Sequence, residues 1–275
     1  MKHKIILLAV FSVFLASCAS VRTPWNESVQ SDLLGKTILL ITPLDGSFVL
    51  RADGLTRFET VRTEIDVTEW ALSDAITSDV VQALKGDYKI KVLDDDERSA
   101  FYDIDSFYRT YIGAYTSQMQ LIQNAAKKCD CDAVLIINPS RFLALHVPNE
   151  RGYGIYQESA FWLRDAYLYA GVRAMLYDGT TGKEYEWDEV MSIKKIESWI
   201  DIKEQTDINE ISEWKDPIRK SMSELTMIVL SKMRILRDNK ARYNASICEQ
   251  PGIHPVHLEV WLSNVKCKDG KVKSD

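Results

Sequence analysis

Ala166-Tyr167-Leu168-Tyr169-Ala170-Gly171-Val172-Arg173-Ala174-Met175-Leu176-Tyr177-Asp178-Gly179-Thr180-Thr181-Gly182-Lys183 is the clearest strand signal in the chain. Ala166, Leu168, Ala170, Val172, Ala174 and Leu176 fall on one face of a period-two strand, and Tyr167, Tyr169, Arg173 and Tyr177 fall on the other. Asp178 to Lys183 is turn chemistry, with Asp able to bond its own backbone and Gly available for positive φ. Glu184 to Ile193 then returns as the partner strand. The second half of the chain is thus expected to hold a long antiparallel hairpin.

Upstream, Gly35 to Pro43 contains the apolar, β-branched run Ile38-Leu39-Leu40-Ile41 stopped by Pro43, as expected of a strand buried on both faces. The region from Phe58 to Val67 alternates weakly and carries Glu59, Arg62, Glu64 and Asp66, so it reads as an exposed strand or a loop. From Thr68, read as an N-cap, Leu72, Ala75, Ile76, Val80, Ala83 and Leu84 recur at helical spacing until Gly86 supplies the residue past the C-cap. Tyr88 to Leu93 reads as the next strand, before the acidic turn Asp94-Asp95-Asp96. Tyr115, Met119, Ile122 and Ala125/Ala126 mark a helix ending at Lys127-Lys128, and Ala133 to Ile137 is a second continuous apolar strand. Asp216 is placed as a cap with Pro217 at the first helical position, and Ile218, Met222, Leu225, Val229, Met233 and Leu236 form a stripe that should cover the sheet. Strands alternating with helices imply parallel pairing with right-handed crossovers. The fold class is therefore α/β: a mixed sheet with helices packed on it and a long antiparallel hairpin in the second half.

The 275 residues are 46% apolar and 27% charged, a mix that suits a compact domain with a sizeable core. A net charge of −6 argues against a nucleic-acid binder, which needs a basic face to release counterions. At the amino terminus, Lys2 and Lys4 precede the apolar run Ile5 to Leu15, which has the length of a secretory h-region and is too short for a membrane anchor. Leu15-Ala16-Ser17-Cys18 follows and resembles the lipobox of bacterial lipoproteins, in which the cysteine thiol is acylated and becomes the new amino terminus. The resemblance implies lipidation at Cys18 and a palmitate-type anchor, with multiple acyl chains needed for firm attachment. Ala19, where Asp would signal inner-membrane retention, points to the outer membrane by the same resemblance. The expected organisation is a signal peptide at 1–17, a lipidated Cys and flexible tether at 18–31, an α/β domain at 32–240 and a loop-rich extension at 241–275. Loss of Lys2 and Lys4 leaves 32 bases against 40 acids, a mature charge of −8.

Four cysteines remain beside Cys18, and an oxidising periplasm would permit them to pair in any of three connectivities. Cys248 and Cys267 flank a stretch with Pro251, Gly252 and Pro255 that gains most from a staple, so they are the candidate disulfide. Cys129-Asp130-Cys131 lacks a second ligand pair at zinc spacing and is not a thioredoxin motif; it reads as one side chain at a helix end and another entering a strand. His254-Pro255-Val256-His257 reads as a loop, so no metal and no cofactor are expected. Nucleophile-elbow, phosphate-loop, dinucleotide and zincin motifs are absent from the sequence, and the chain is read as a non-enzyme. Phe101, Tyr102, Phe107, Tyr108, Arg109 and Tyr111 are residue types enriched at binding hot spots and form the candidate partner-binding cluster. The same rings would equally serve to cover an edge of the core.

The lipobox, the early buried strand, the helix-to-strand run Ala125 to Leu135 and the hairpin Val172 to Lys183 together resemble a superfamily of bacterial envelope lipoproteins and periplasmic domains. It includes the CsgG-like curli-secretion lipoproteins, the lipoprotein activators of penicillin-binding proteins and the amino-terminal domain of the Tol propeller protein. The resemblance implies a non-catalytic binding or scaffold component in envelope assembly or secretion, held to the membrane by its lipid and docking an envelope protein or further copies of itself. An alternative is a subunit of a curli-secretion-like oligomeric pore, built from amphipathic segments at Phe142–Leu163 and Ala166–Ile193. A cell-wall hydrolase with an unrecognised site is a second alternative.

Overall fold

The computed structural model describes residues 31–44, 46–54, 60–104, 112–140, 150–160, 163–197, 199–200, 202 and 207–236, together with two short strands, Cys267–Lys268 and Lys271–Val272. The fold is the expected α/β class, with one mixed eight-stranded sheet. Its strands are β1 (Thr37–Ile41), β2 (Ser47–Asp53), β3 (Val61–Asp66), β4 (Lys89–Val92), β5 (Ala133–Pro139), β6 (Tyr153–Ala160), β7 (Leu163–Asp178) and β8 (Glu184–Ile196). The main helices are α1 (Leu72–Leu84), α2 (Ile112–Cys129) and α3 (Lys215–Lys232).

The 16-residue β7 organises the sheet. Its first half pairs antiparallel with β6 and its second half with β5, while β8 runs antiparallel along both halves. Because β8 overlaps both partners, it must occupy the opposite edge of β7. Two half-sheets, β6-β2-β3 and β5-β1-β4, therefore leave one edge of β7, and the hairpin spans both. The β5-β1-β4 trio is parallel, as the strand and helix order requires.

Side-chain alternation divides the sheet into a front and a back. On the front, Leu168, Ala170, Val172, Ala174 and Leu176 of β7 join Ile38, Leu40, Leu135, Ile137 and Ile155 under α1 and α3. Leu72, Ile76, Val80 and Leu84 recur every four residues along α1, and Ile218, Met222, Leu225 and Val229 supply the stripe of α3. On the back, Ile122, Ala125 and Ala126 of α2 cover Leu39, Ile41, Val134, Ile136, Met175 and Tyr177. The rest of the back, across β2, β6 and β7, has a separate small cluster of Val49, Tyr156 and Tyr169.

Two helix starts differ from expectation. Thr68 opens a 3-10 turn, Thr68–Trp70, and the Asp66 carboxylate accepts its backbone N–H at 2.9 Å and its hydroxyl at 2.6 Å. Trp70 is buried edge-on against Phe48, so the chain is pinned before it reorients through Ala71, at φ 51°, into α1. Asp216 likewise lies inside the first turn of α3 instead of capping it. The capping is done earlier, where Asp207 and Glu210 form a capping box on the 3-10 segment Ile208–Trp214 that leads into the helix. Strand β2 has no counterpart in the sequence expectation, and β6 falls within the Phe142–Leu163 segment expected only under the pore alternative. Phe48-Val49-Leu50 is buried on both faces, and β6 interrupts its alternation with Gly154 and a buried Gln157, so neither shows a clean period-two pattern.

At the hairpin turn, Asp178 accepts the backbone N–H and the hydroxyl of Thr181 at 2.6 and 2.9 Å. Gly182 follows at φ +66°, where a Cβ would also lie 2.5 Å from the Met119 carbonyl oxygen. Its lack of a side chain lets the turn close and lets α2 sit against it.

Candidate functional site

The polar back of the sheet is where this chain departs most from simple core packing. Two rows of residues cross five strands in register. One runs Glu64, Val49, Gly154, Tyr169, Ile193, and the next Arg62, Arg51, Tyr156, Tyr167, Lys195. Tyr156 and Tyr167 stack at 6.4 Å between centroids, and Tyr169 is fully buried over the space that Gly154 leaves open. Burial pushes the phenols of Tyr156, Tyr167 and Tyr169 above the ordinary tyrosine range, so all three stay neutral well into alkaline pH.

Arg51 and Arg62 face each other across β2 and β3, an arrangement of like charges that would be destabilising alone. Glu150, 3% exposed, resolves it. Its carboxylate accepts Nη1 of Arg51 at 3.0 Å and, through both oxygens, Nε and Nη2 of Arg62 at 3.1 Å. Arg51 also forks onto Asp53 at 3.0 and 3.2 Å, Arg62 pairs with Glu64 at 2.6 Å, and the Tyr156 hydroxyl donates to Asp53. Three carboxylates thus surround two guanidiniums. The bonds from Glu150 hold the Arg62 guanidinium more firmly charged than usual, and bonding to Arg62 holds the Glu64 carboxyl below its ordinary value.

Deeper along β7, Arg173 pairs with Glu189 of β8. Nε and Nη2 both donate to Oε2, at 3.1 and 2.7 Å, and Ser140 Oγ donates to the same oxygen at 2.9 Å. Both charged side chains are below 5% exposed. The neighbouring Asp188 points to the front and accepts from Lys232 of α3 at 2.8 Å. Asn138 donates to the carbonyls of Phe101 and Ile104 at 3.1 and 3.0 Å, fixing the chain after the 3-10 turn Ser99–Phe101.

The carboxylates of this face are engaged by guanidiniums and by the hydroxyls of Ser140 and Tyr156. Among the described residues, no group of three His, Cys, Asp or Glu is placed to hold a metal, and no helix is long and apolar enough to cross a membrane. The acidic turn is also engaged: Arg98 pairs with Asp95 at 2.6 Å and with Asp74 at 3.0 Å.

The residues singled out from sequence separate. Phe101 is 2% exposed and belongs to the core under α2, so it offers no surface to a partner. Tyr102 is half-buried, with the Arg151 guanidinium 4.3 Å from its ring centroid. Phe107, Tyr108, Arg109 and Tyr111 lie outside the described residues, as do Cys18, Cys248 and the His254/His257 pair. Cys267 lies in the first of the two short C-terminal strands.

Cys129 and Cys131 hold the predicted places at the end of α2 and the approach to β5, but they are joined by a disulfide, which the sequence reading did not anticipate. Asp130, at φ 53°, turns the chain so that the two Cα atoms stand 5.3 Å apart, within bridging distance. Glu150 and Arg51 carry no signal of their own in the sequence, and Arg62 reads there only as one charge of an exposed strand or loop. They come from three separate segments, and the one local sign was a pair of charges, Arg51 and Asp53, ending an otherwise apolar strand.

No family model matches the chain, and no curated protein matches it. Solved structures do align with it at low similarity. A lipoprotein, GNA1162, from Neisseria meningitidis is 13% identical, with 68% of this chain and 98% of that one covered and a TM-score of 0.30. The PelC dodecamer from Paraburkholderia phytofirmans is 9% identical over 72% and 87%, with a TM-score of 0.30. The LpoB C-terminal domain from Salmonella enterica is 9% identical over 57% and 82%, with a TM-score of 0.24. Scores this low transfer neither a fold nor a function, and the architecture above stands on the chain's own strand pairings.

Proposed function

We propose that this chain is an outer-membrane lipoprotein, anchored on the periplasmic side through Cys18, that serves as a non-catalytic binding or scaffold component of envelope assembly or secretion. The observation that carries this reading is the run Lys2, Lys4, Ile5 to Leu15 and Leu15-Ala16-Ser17-Cys18, in which charge, apolar length and cysteine placement agree. The polar back supports it, because the described acids there hold other side chains in place. The envelope protein it would engage, and the resemblance to curli-secretion and penicillin-binding-protein-activator lipoproteins, belong to the same proposal. So does a Cys248–Cys267 bridge, the pair left over once Cys129 and Cys131 are joined.

The pore alternative is weakened by one observation. The apolar row of β7, which would have to face lipid, lies under α3, and the Phe142–Leu163 segment contributes β6 to the sheet interior. The hydrolase alternative is tested by incubating the purified chain with peptidoglycan, where released fragments would support it. The test of the anchor is Cys18→Ser. The variant should move from the membrane to the soluble fraction, and the native protein should carry a diacylglyceryl thioether by mass spectrometry. An unmodified thiol at Cys18, or a variant that stays on the membrane, overturns the proposal.

A further inference from the structure

The sheet has three outer edges, and they are guarded differently. β3 is six residues long and carries Arg62, Glu64 and Asp66, while β4 is four residues long and carries Lys89 and Lys91. Short length and alternating charge are the usual devices against edge-to-edge pairing. The third edge, β8, runs for 13 residues, and among the described residues only β7 pairs with it. The two acids at its centre do not guard it, since Asp188 and Glu189 turn inward to Lys232 and Arg173 and are 5% and 3% exposed. What remains along the middle is Trp187, Val190, Met191 and Ile193, all half-buried.

The strand also has a charge polarity. Its first half contains Glu184, Glu186, Asp188 and Glu189, and its last turn of chain contains Lys194 and Lys195, both exposed. A parallel copy would set acid against acid and lysine against lysine. An antiparallel copy centred on Val190 would set Glu186 opposite Lys194 and Trp187 opposite Ile193, each pair occurring twice by symmetry. Residues paired in this way lie on the same face of the joined sheet, so the contact is self-complementary in charge and in apolar surface together.

From this edge we infer that β8 is a self-association surface whose occupant is the β8 strand of a second copy, aligned antiparallel about a two-fold axis near Val190. The two eight-stranded sheets become one continuous sheet. Backbone hydrogen bonds carry the affinity, and the Glu186–Lys194 pairs set the register.

The test uses the mature chain with Cys18→Ser, so that it is free of lipid, in sedimentation equilibrium at low ionic strength. A concentration-dependent dimer is expected, with amide exchange across Glu186–Ile193 slowing as dimer forms. Glu186→Lys and Lys194→Glu should each weaken association about tenfold or more, and the double swap should restore most of it, because the swapped charges again face each other. Both side chains sit at the sheet margin, and circular dichroism confirms that each variant is folded. A chain that stays monomeric at 100 μM, a dimer indifferent to either single reversal, or a double swap no better than the singles overturns the inference. Protection that appears on β3 or β4 in place of β8 overturns it equally.

Discussion

β7 presents two unlike faces from one stretch of chain. From Leu168 to Leu176 its even-numbered residues are Leu, Ala, Val, Ala and Leu, packed under α3, and none of them asks for a particular partner atom. From Tyr167 to Tyr177 its odd-numbered residues are three tyrosines, a glycine, an arginine and a methionine, and several are placed by a specific bond or ring contact. The front is fixed by volume and the back by pairing. A front position tolerates any side chain of similar size, whereas removing one back partner leaves another stranded.

The largest effect should therefore come from Arg173. Arg173→Ala takes its guanidinium away from the buried Glu189 carboxylate and is expected to cost about 3–5 kcal/mol, as much as truncating a buried leucine on the front. Arg173→Met combined with Glu189→Leu removes both charges together and should fall within about 1 kcal/mol of the parent. Urea unfolding of the three proteins measures this. If Arg173→Ala costs no more than an exposed ion pair, the pairing account of the back is wrong.

Gly154 sharpens the same comparison by volume. A Cβ there would stand 2.0 Å from the Val49 carbonyl oxygen and 2.8 Å from the Tyr169 hydroxyl. Gly154→Ala must push β2 and β6 apart or displace Tyr169, at about 3 kcal/mol, and urea unfolding should show it. On the front face of β6, next along the strand, Ile155 already fills its site, so the two neighbouring residues should differ in which way a change of size hurts. A Gly154→Ala protein as stable as the parent would mean the tyrosine row is looser than its packing indicates.

The front of this molecule was legible in the sequence and the back was not. Ala166 to Leu176, the α1 stripe and the α3 stripe each repeat at a fixed period, and burial on one face makes periods visible. Asn138, Glu150 and Glu189 are buried polar residues whose partners are 16 to 99 positions away or are backbone atoms of distant loops, and no period records that. The helix starts failed for a related reason. Thr68 and Asp216 fit the local rule, but the burial of Trp70 and the Asp207–Glu210 box decided where each helix begins. The aromatic cluster shows the limit from the other side, because composition alone does not distinguish a ring on a surface from Phe101 under α2.

The smallest expected effect concerns the Cys129–Cys131 bridge, which lies where the helix covering the back hands the chain to β5. A cross-link between residues two apart closes so short a loop that it removes little freedom from the unfolded chain, about 1.5 kcal/mol by the loop-entropy relation. Packing already fixes the junction: Ile122, Ala125 and Ala126 are buried against β1 and β5, Cys131 N–H donates to the Ala126 carbonyl at 2.9 Å, and Asp132 accepts the Thr37 N–H at 2.9 Å. Cys129→Ala with Cys131→Ala should therefore lower unfolding stability by about 1.5 kcal/mol or less, with the circular dichroism spectrum unchanged. Reduction by dithiothreitol of a protein carrying Cys248→Ser and Cys267→Ser should reproduce that result. A loss above about 3 kcal/mol would show that the helix is held to the back covalently, and would place this corner with the paired residues of the back instead of with the packed residues of the front.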